Sequence, residues 1–443
     1  MSTRDLIYNG FNIDELKTKI LPFRSQEKIM NSWLEKRLDT ILPKVMKRNN
    51  IDCWIVCCRE YNEDPTFLSL VPKGMMSARR KTILAFFLEG EKVVRYSLTR
   101  PGVGLDGYYN AAWTNQVGSV WSDGEIDSYG NPRETQYECL KRLVIKHNPS
   151  SIGLNYSEHF AFGDGISYKL YSEITNALGD YKTRVVSADK VAVGWLETRI
   201  EEELAAYTGI VQIAHALIAE AFSSRVIIPG VTTNHDVKYY MLQKVIDLGL
   251  TPWFNFTVDI TREKEGICYE EKVIMPGDLL HCDVGLKYLG LCTDTQENAY
   301  ILKIDEEKAP QGILDALKAC NELEDIVVNN YAINKTGNQV LKESLKNAIN
   351  NGLHPCIYTH PIGVHGHGAG PIIGLWDKQD GVEGTGDYPL HDNTLYSLEL
   401  NNKYTIREWN NQEITLSLET DIMFKDGQVY YVAGRQTELH YIK

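Results

Sequence analysis

The chain has no uninterrupted apolar run approaching the roughly 20 residues of a bilayer-spanning helix. Its first stretch, MSTRDLIYNGFNIDELKTK, holds no apolar core of the secretory type. Basic residues are outnumbered, 46 Lys and Arg against 59 Asp and Glu, and the net charge of −13 comes without any basic stripe. That balance argues against nucleic acid or an anionic membrane surface as a partner. No CxxC pair marks a zinc knuckle, and no phosphate loop or dinucleotide fingerprint is found. The nine cysteines are odd in number and include the adjacent pair Cys57 and Cys58. They fit unpaired thiols in a reducing compartment better than a disulfide framework. A cytoplasmic protein is expected, with neither a membrane nor a nucleic-acid partner.

What is present is an ordinary globular composition, 43% apolar and 24% charged over 443 residues, too long for one typical core. Two domains are expected, 1–192 and 193–443, with the boundary near 189–197. After a loosely structured lead-in over 1–24, a helix is predicted over about 26–48, kinked or split by Pro43. A buried strand at 52–59 and a hairpin turning at Glu89-Gly90 follow. A helix near 134–146, a strand at 151–155, a helix near 166–178 and a strand around 183–187 complete an α/β domain. The aromatic-rich stretch 104–124 is too polar and glycine-rich for core and reads as surface structure or as a substrate-side or dimer-contact loop.

The second half repeats a scheme. Thr198-x-x-Glu201 reads as a capping box opening a helix to about Phe222, and Thr233-x-x-Asp236 opens another ending near Gly249. Strands follow, then helices over about 311–330 and 338–350, then strands again. Helix, helix, antiparallel strands, twice over, implies two similar halves facing each other across a cleft. Within 279–300 a hairpin turning near Tyr288-Leu289 places Asp283 opposite Asp294. Opposed side chains on such a pair lie about 4.5–5.5 Å apart at Cβ. Two acids so placed on an otherwise apolar face repel and lose hydration, a conflict that one or two cations resolve. Four of the eleven histidines fall between His354 and His367, and two apolar, strand-like runs each carry a single glutamate, Glu399 and Glu419. Neutral imidazole with several carboxylates is a donor set for a hard or borderline divalent ion.

Asp283, ten residues, Asp294, then His360, Glu399 and Glu419 in that order resemble the ligand set of the pita-bread metallopeptidases, the family of Xaa-Pro aminopeptidase, prolidase, methionine aminopeptidase and metal-free creatinase. The run His360-Pro-Ile-Gly363-Val-His365-Gly-His367 is similar to the family's H-x-x-G-x-x-x-H, whose second histidine is catalytic. The resemblance spans roughly 195–443. It implies an α/β N-terminal domain of the creatinase type followed by an α+β pita-bread catalytic domain with pseudo-twofold halves. All five ligand positions are filled, which disfavours the metal-free branch.

By this resemblance Asp283 chelates one metal, Asp294 and Glu419 bridge both, and His360 and Glu399 hold the second. Two ions are implied, manganese first, with cobalt, zinc or iron as alternatives. A metal-bridging hydroxide attacks the scissile carbonyl, Glu399 carries the proton to the leaving nitrogen, and His367 hydrogen-bonds the carbonyl or the tetrahedral intermediate. The expected enzyme is a dinuclear metallohydrolase, an aminopeptidase acting on Xaa-Pro peptides or a prolidase-like dipeptidase. The alternative is a non-peptidase enzyme of the same fold, a small-molecule C–N hydrolase or a metal-dependent lyase. A peptide or small-molecule substrate and a homodimer complete the expectation. His281 shares the strand face of Asp283 and reads as a partner to a ligand; His365 reads the same way, His354 is unassigned, and His391 reads as surface. Three departures from the family stand out. Gly266 occupies the place of the histidine ahead of the Pro276-Gly277-Asp278 turn, Leu400-Asn401-Asn402 follows Glu399 in place of Pro-Gly, and Ser417 stands where proline-specific members carry arginine.

Overall fold

A computed structural model of the chain describes Glu15 and residues 17–99, 103–113 and 134–443. It divides into two compact units, residues 23–200 and residues 201–443, with the described residues before 23 belonging to the second. In the first unit, α1 (Phe23–Thr40) and α2 (Leu42–Arg48) are separated at Ile41, and Pro43 sits in the first turn of α2. Proline's missing N–H costs nothing at a helix start, so Pro43 splits the periodic run without breaking its packing. The sheet has β1 (Cys53–Arg59), β2 (Lys81–Glu89), β3 (Lys92–Leu98), β4 (Asn110–Ala111), β5 (Ile152–Leu154) and β6 (Val185–Ser187) in the order β4-β3-β2-β1-β5-β6. Helices α3 (Gln136–His147) and α4 (Tyr168–Leu178) bury Leu140, Leu143, Val144, Leu170 and Ile174 against the sheet residues Ile55, Cys57, Ile83 and Ala85. A capping box at Thr135 and the Ser167 side chain start the two helices. Helix α5 (Asp189–Glu197) closes the unit.

Two readings of this region change. Residues 114–124 of the aromatic-rich stretch lie outside the described residues, but Tyr109 and Trp113 are buried, and Trp113 packs into the core with its indole N–H donating to Glu134 O at 2.6 Å. A satisfied ring nitrogen lets tryptophan serve as core in a polar stretch. Thr198 is not an N-cap. It terminates α5, its hydroxyl donating to Gly194 O at 2.7 Å, and the long helix starts three residues later.

The second unit opens with α6 (Glu201–Ala221) and α7 (Asn234–Asp247), the latter started by the expected capping box at Thr233 and stopped before Gly249, whose φ is +77°. By length and composition α6 could also cross a bilayer, yet most of it is buried inside the unit, Glu203 and His215 included. Strands β7 (Thr251–Pro252), β8 (Thr257–Arg262), β9 (Gly266–Cys268), β10 (Leu279–Val284), β11 (Leu286–Tyr288), β12 (Leu291–Cys292) and β13 (Thr295–Ile301) follow. Then come α8 (Gln311–Val328), α9 (Gly337–Asn350), β14 (Pro355–Ile357), β15 (His360–Ile362), β16 (Thr394–Ile406), β17 (Gln412–Lys425), β18 (Gln428–Tyr431) and β19 (His440–Ile442). The anticipated repeat of two helices and antiparallel strands is thus present. The main sheet runs β14-β16-β17-β13-β10-β8-β9, with β15 on β16, β18 on β17 and β19 parallel to β13. On β16 and β17, Tyr396, Leu398, Leu400, Leu416, Leu418 and Ile422 pack among residues of α8 and α9, so the alternate residues of both strands form the opposite face.

The hairpin register differs from the expected one. The turn is Leu289-Gly290, both with positive φ (50° and 80°), closing Tyr288 on Leu291. Left-handed values at both central residues define the type I′ turn whose twist suits a hairpin. Asp283 is therefore opposite Gln296, and Asp294 lies two residues before it on the same face. The acids that do stand directly opposed are Glu399 and Glu419, across β16 and β17.

Below the other face, buried Glu297 of β13 accepts from His215 Nδ1 of α6 at 2.6 Å and from His440 Nε2 of β19 at 2.5 Å. Burial alone would raise its pKa, but the two imidazole donors hold it well below the usual carboxylate range. Its contribution to stability is fully present above the unfolded value of about 4.3 and is lost as pH falls through the folded one. Glu297→Ala should destabilise the protein by about 3–5 kcal/mol by leaving two buried donors unanswered. In calorimetric melts the Tm advantage of wild type over Glu297→Gln should shrink as pH drops below about 4; a constant difference down to acid unfolding would contradict this.

Candidate metal centre

Pairing across four strand junctions aligns Thr257, Asp283, Gln296, Glu419 and Glu399 in one row of the open face. His360 of β15 pairs with Ser397, two residues before Glu399, and so joins the same face. Donor atoms of Asp283, Asp294 and Glu419 lie within 4.8 Å of one another, as do those of His360, Glu399 and Glu419, and those of Asp294, His360 and His367. His360 Nε2 is 3.4 Å from Glu419 Oε1, 3.5 Å from Asp294 Oδ2 and 4.0 Å from Glu399 Oε2. All five expected ligands are therefore brought together, and His367 joins them at the rim.

The donor set fits divalent metal. His360 Nδ1 donates to Pro361 O at 3.0 Å, which leaves Nε2 as a bare lone pair aimed at the acids. That nitrogen, Asp283 Oδ1, Asp294 Oδ1 and Glu419 Oε2 are buried without a hydrogen-bond partner. Buried polar atoms left open in this way, all converging on one point, are what a cation would satisfy. Burial first, and then the charge of Glu419, pushes Asp283 up to about 8 and holds Asp294 and Glu399 well above the usual carboxylate range. Two of the donor triplets overlap at Glu419.

Several neighbours escaped the sequence reading. Ser397 Oγ donates to Glu419 Oε1 at 2.6 Å, and Gln296 Nε2 donates to Glu399 Oε1 at 2.6 Å. Each lies two residues from a member of the cluster, so strand alternation was a usable signal. Buried Asp421 accepts from Tyr207 Oη at 2.5 Å and from Thr295 Oγ1 at 3.3 Å, behind Asp294. Trp253 has no such signal. Its ring meets His367 edge-on at 5.3 Å, and its N–H donates to Thr293 O at 2.8 Å. Gly285 and Gly366 are required there, since a Cβ on either would come within 2.1 or 2.3 Å of the indole. His367 also meets His360 edge-on at 4.7 Å, and burial, followed by the neighbouring His360, lowers its pKa.

The remaining histidines separate. His281 is held by Gln296, itself a hydrogen-bond partner of Glu399. His365 is outside the three donor groups, its carbonyl accepting from Gly363 N. His354 is exposed near Lys403, and His391 is half-buried against Tyr388 rather than on the surface.

Residues 206–426 match the description of metallopeptidase family M24. No curated protein sequence matches the chain. An X-Pro aminopeptidase from Thermotoga maritima has a similar structure, with a TM-score of 0.60 at 16% identity over 89% of this chain and 99% of that one. An Xaa-Pro dipeptidase from Bacillus anthracis gives 0.60 at 14% over 92% and 99%, and a dipeptidase from Mycobacterium ulcerans gives 0.59 at 16% over 93% and 98%. Through residues 206–426 the chain belongs to metallopeptidase family M24, and its fold is that of the Xaa-Pro aminopeptidases and prolidases.

Because a carboxylate must be deprotonated to bind metal, Mn²⁺ uptake should release protons below the Asp283 value of about 8 and weaken as pH falls from there. Calorimetric titration in two buffers of different ionisation enthalpy, one pair near pH 6.5 and one near 8.5, checks this. Equal proton release in both ranges would show that Asp283 is not displaced from its proton by the ion.

Proposed function

We propose that the chain is a dinuclear metal-dependent peptidase that removes the N-terminal residue from Xaa-Pro peptides, with a prolidase-like dipeptidase as the nearest variant. The observation that carries the reading is the pair of ligand triplets sharing Glu419, formed by Asp283, Asp294, His360, Glu399 and Glu419. When bound, two divalent ions there would polarise a substrate carbonyl and acidify a water at neutral pH. The oxygen-rich donor set favours manganese-like ions. Glu399 stands at the open side of the cluster, half-buried, where it can take a proton from the attacking water and deliver it to the leaving nitrogen. His367, at the rim beside the Trp253 ring, is placed to donate to the oxygen that gains charge. Ser397 holds Glu419 through one oxygen and leaves the other for the ion.

A second reading, a small-molecule C–N hydrolase of the same fold, is favoured by one feature. The row next to the ligands on the same face is polar throughout: Asp259, His281 and Asn298 in register, then Ser417 and Asn401. An apolar proline ring gains little from such a floor, whereas a hydrogen-bonding substrate can exchange hydrogen bonds with it.

The deciding experiment is a Mn²⁺-loaded screen of Xaa-Pro dipeptides, longer Xaa-Pro peptides and polar small-molecule amides, with metal content measured on the same protein. Hydrolysis of Xaa-Pro peptides supports the first reading; turnover confined to the amides replaces it with the second. On whichever substrate is found, His367→Ala should keep its metals and lose about 10²–10³ in kcat, the usual cost of one oxyanion donor. A near-normal kcat would remove His367 from the chemistry, and lost metal would make it a ligand.

A further inference from the structure

The ligand Glu399 does not stand alone on its strand. Its Oε1 accepts from Gln296 Nε2 at 2.6 Å, while Gln296 Oε1 lies 2.9 Å from His281 Nε2, and His281 Nδ1 lies 3.4 Å from Asp259 Oδ2. Ionised, as a metal would hold it, Glu399 can only accept at that oxygen, so the amide of Gln296 turns its nitrogen towards the glutamate and its carbonyl towards the imidazole. The imidazole must then supply the proton between them. Each contact dictates the next, from β8 through β10 and β13 to β16. Gln296 is also the only member of the ligand row that is neither an acid nor Thr257. A carboxylate at 296 would add another like charge beside Asp283 and Glu419, whereas the amide offers a donor without charge.

We propose that Gln296 and His281 form a positioning arm that fixes the carboxylate of Glu399, committing Oε1 to the arm and presenting Oε2 to the cation it shares with His360. The proposal rests on the metallohydrolase reading above and adds two positioning residues to it. The geometry supports this division, since it is Glu399 Oε2 that lies towards His360 Nε2. With the arm cut, Glu399 is free to rotate, and both the cation it holds and the proton transfer it performs should suffer. Partners that orient a metal ligand typically alter affinity or activity by about 10–100-fold when removed.

The test uses the full-length protein and Mn²⁺ as the probe. Gln296→Met keeps the length of the side chain and removes its donor; His281→Leu removes the next link, and His281→Gln returns an N–H at the position of Nε2. By titration calorimetry, Gln296→Met and His281→Leu should weaken one of two Mn²⁺ binding events by about 10–100-fold and leave the other unchanged. His281→Gln should recover most of the loss. Where a substrate is in hand, kcat should fall with KM little changed, the mark of an interaction that matters in the transition state. Melting temperatures control for folding, and if Gln296→Met does not fold, the His281→Leu and His281→Gln pair carries the comparison. Variants that titrate like wild type would overturn the arm, as would His281→Gln behaving like His281→Leu. Wild-type protein that takes up no Mn²⁺ would instead overturn the metallohydrolase reading, and the arm with it.

Discussion

Repulsion among four carboxylates on one desolvated sheet face is the constraint on which the rest of the second unit depends. Two unit charges about 4 Å apart repel by about 4 kcal/mol at an effective dielectric near 20. Glu399 and Glu419 are directly opposed, and Asp283 and Asp294 stand beside them. The protein donors nearby, Ser397 to Glu419 and Gln296 to Glu399, supply one charge-assisted hydrogen bond each. Such bonds contribute about 1.5–3 kcal/mol apiece, too little to keep all four ionised, so Asp283, Asp294 and Glu399 hold their protons above the usual carboxylate range. The face is thus held together by its surroundings, namely the long β16–β17 ladder and the two helices packed behind it, and its open donor atoms fit a cation.

How much of this was legible in the sequence depends on the range of the interaction that decides each feature. The helix start at Thr233 is set by a side chain reaching three residues ahead, and Gly249 stops the same helix by a single left-handed residue. Local chemistry of that kind is readable. The Thr198 pattern was equally local and misled, because α5 runs on to Glu197 and claims the threonine as its own end. The hairpin register turned on whether Leu289 adopts a positive φ, which a leucine seldom does. Moving the turn by one residue moved the partner of Asp283 by two, from Asp294 to Gln296, yet alternation kept every acid on the same face. The cluster of these residues was therefore recoverable although its pairing was not.

Beyond the ligands, the site is made of contacts that no spacing announces. Trp253 reaches His367 across more than a hundred residues of chain and is accommodated only because two backbone positions, 285 and 366, carry no side chain. The tautomer of His360 depends on the carbonyl of its own neighbour Pro361, which fixes the free nitrogen towards the acids before any ion arrives. Gln296 was visible as a residue but not as a partner of Glu399, since that contact spans from β13 to β16 past an intervening strand.

The pairing of β13 bears on how the chain acquires its shape during synthesis. This strand carries Gln296 and Glu297; β17 pairs with it at Gln296, and from Ala299 onward the neighbour is β19, residues 440–442. A polypeptide emerging from the ribosome forms its early elements first. The helices α6 and α7 and the Asp283 strand can assemble as soon as they appear, but the later half of β13 has an unmatched edge, and Glu297 lacks one of its two imidazoles, until His440 has emerged. Strand β13 and Glu297 thus reach their final pairing only when residues as much as 143 positions further along the chain are in place.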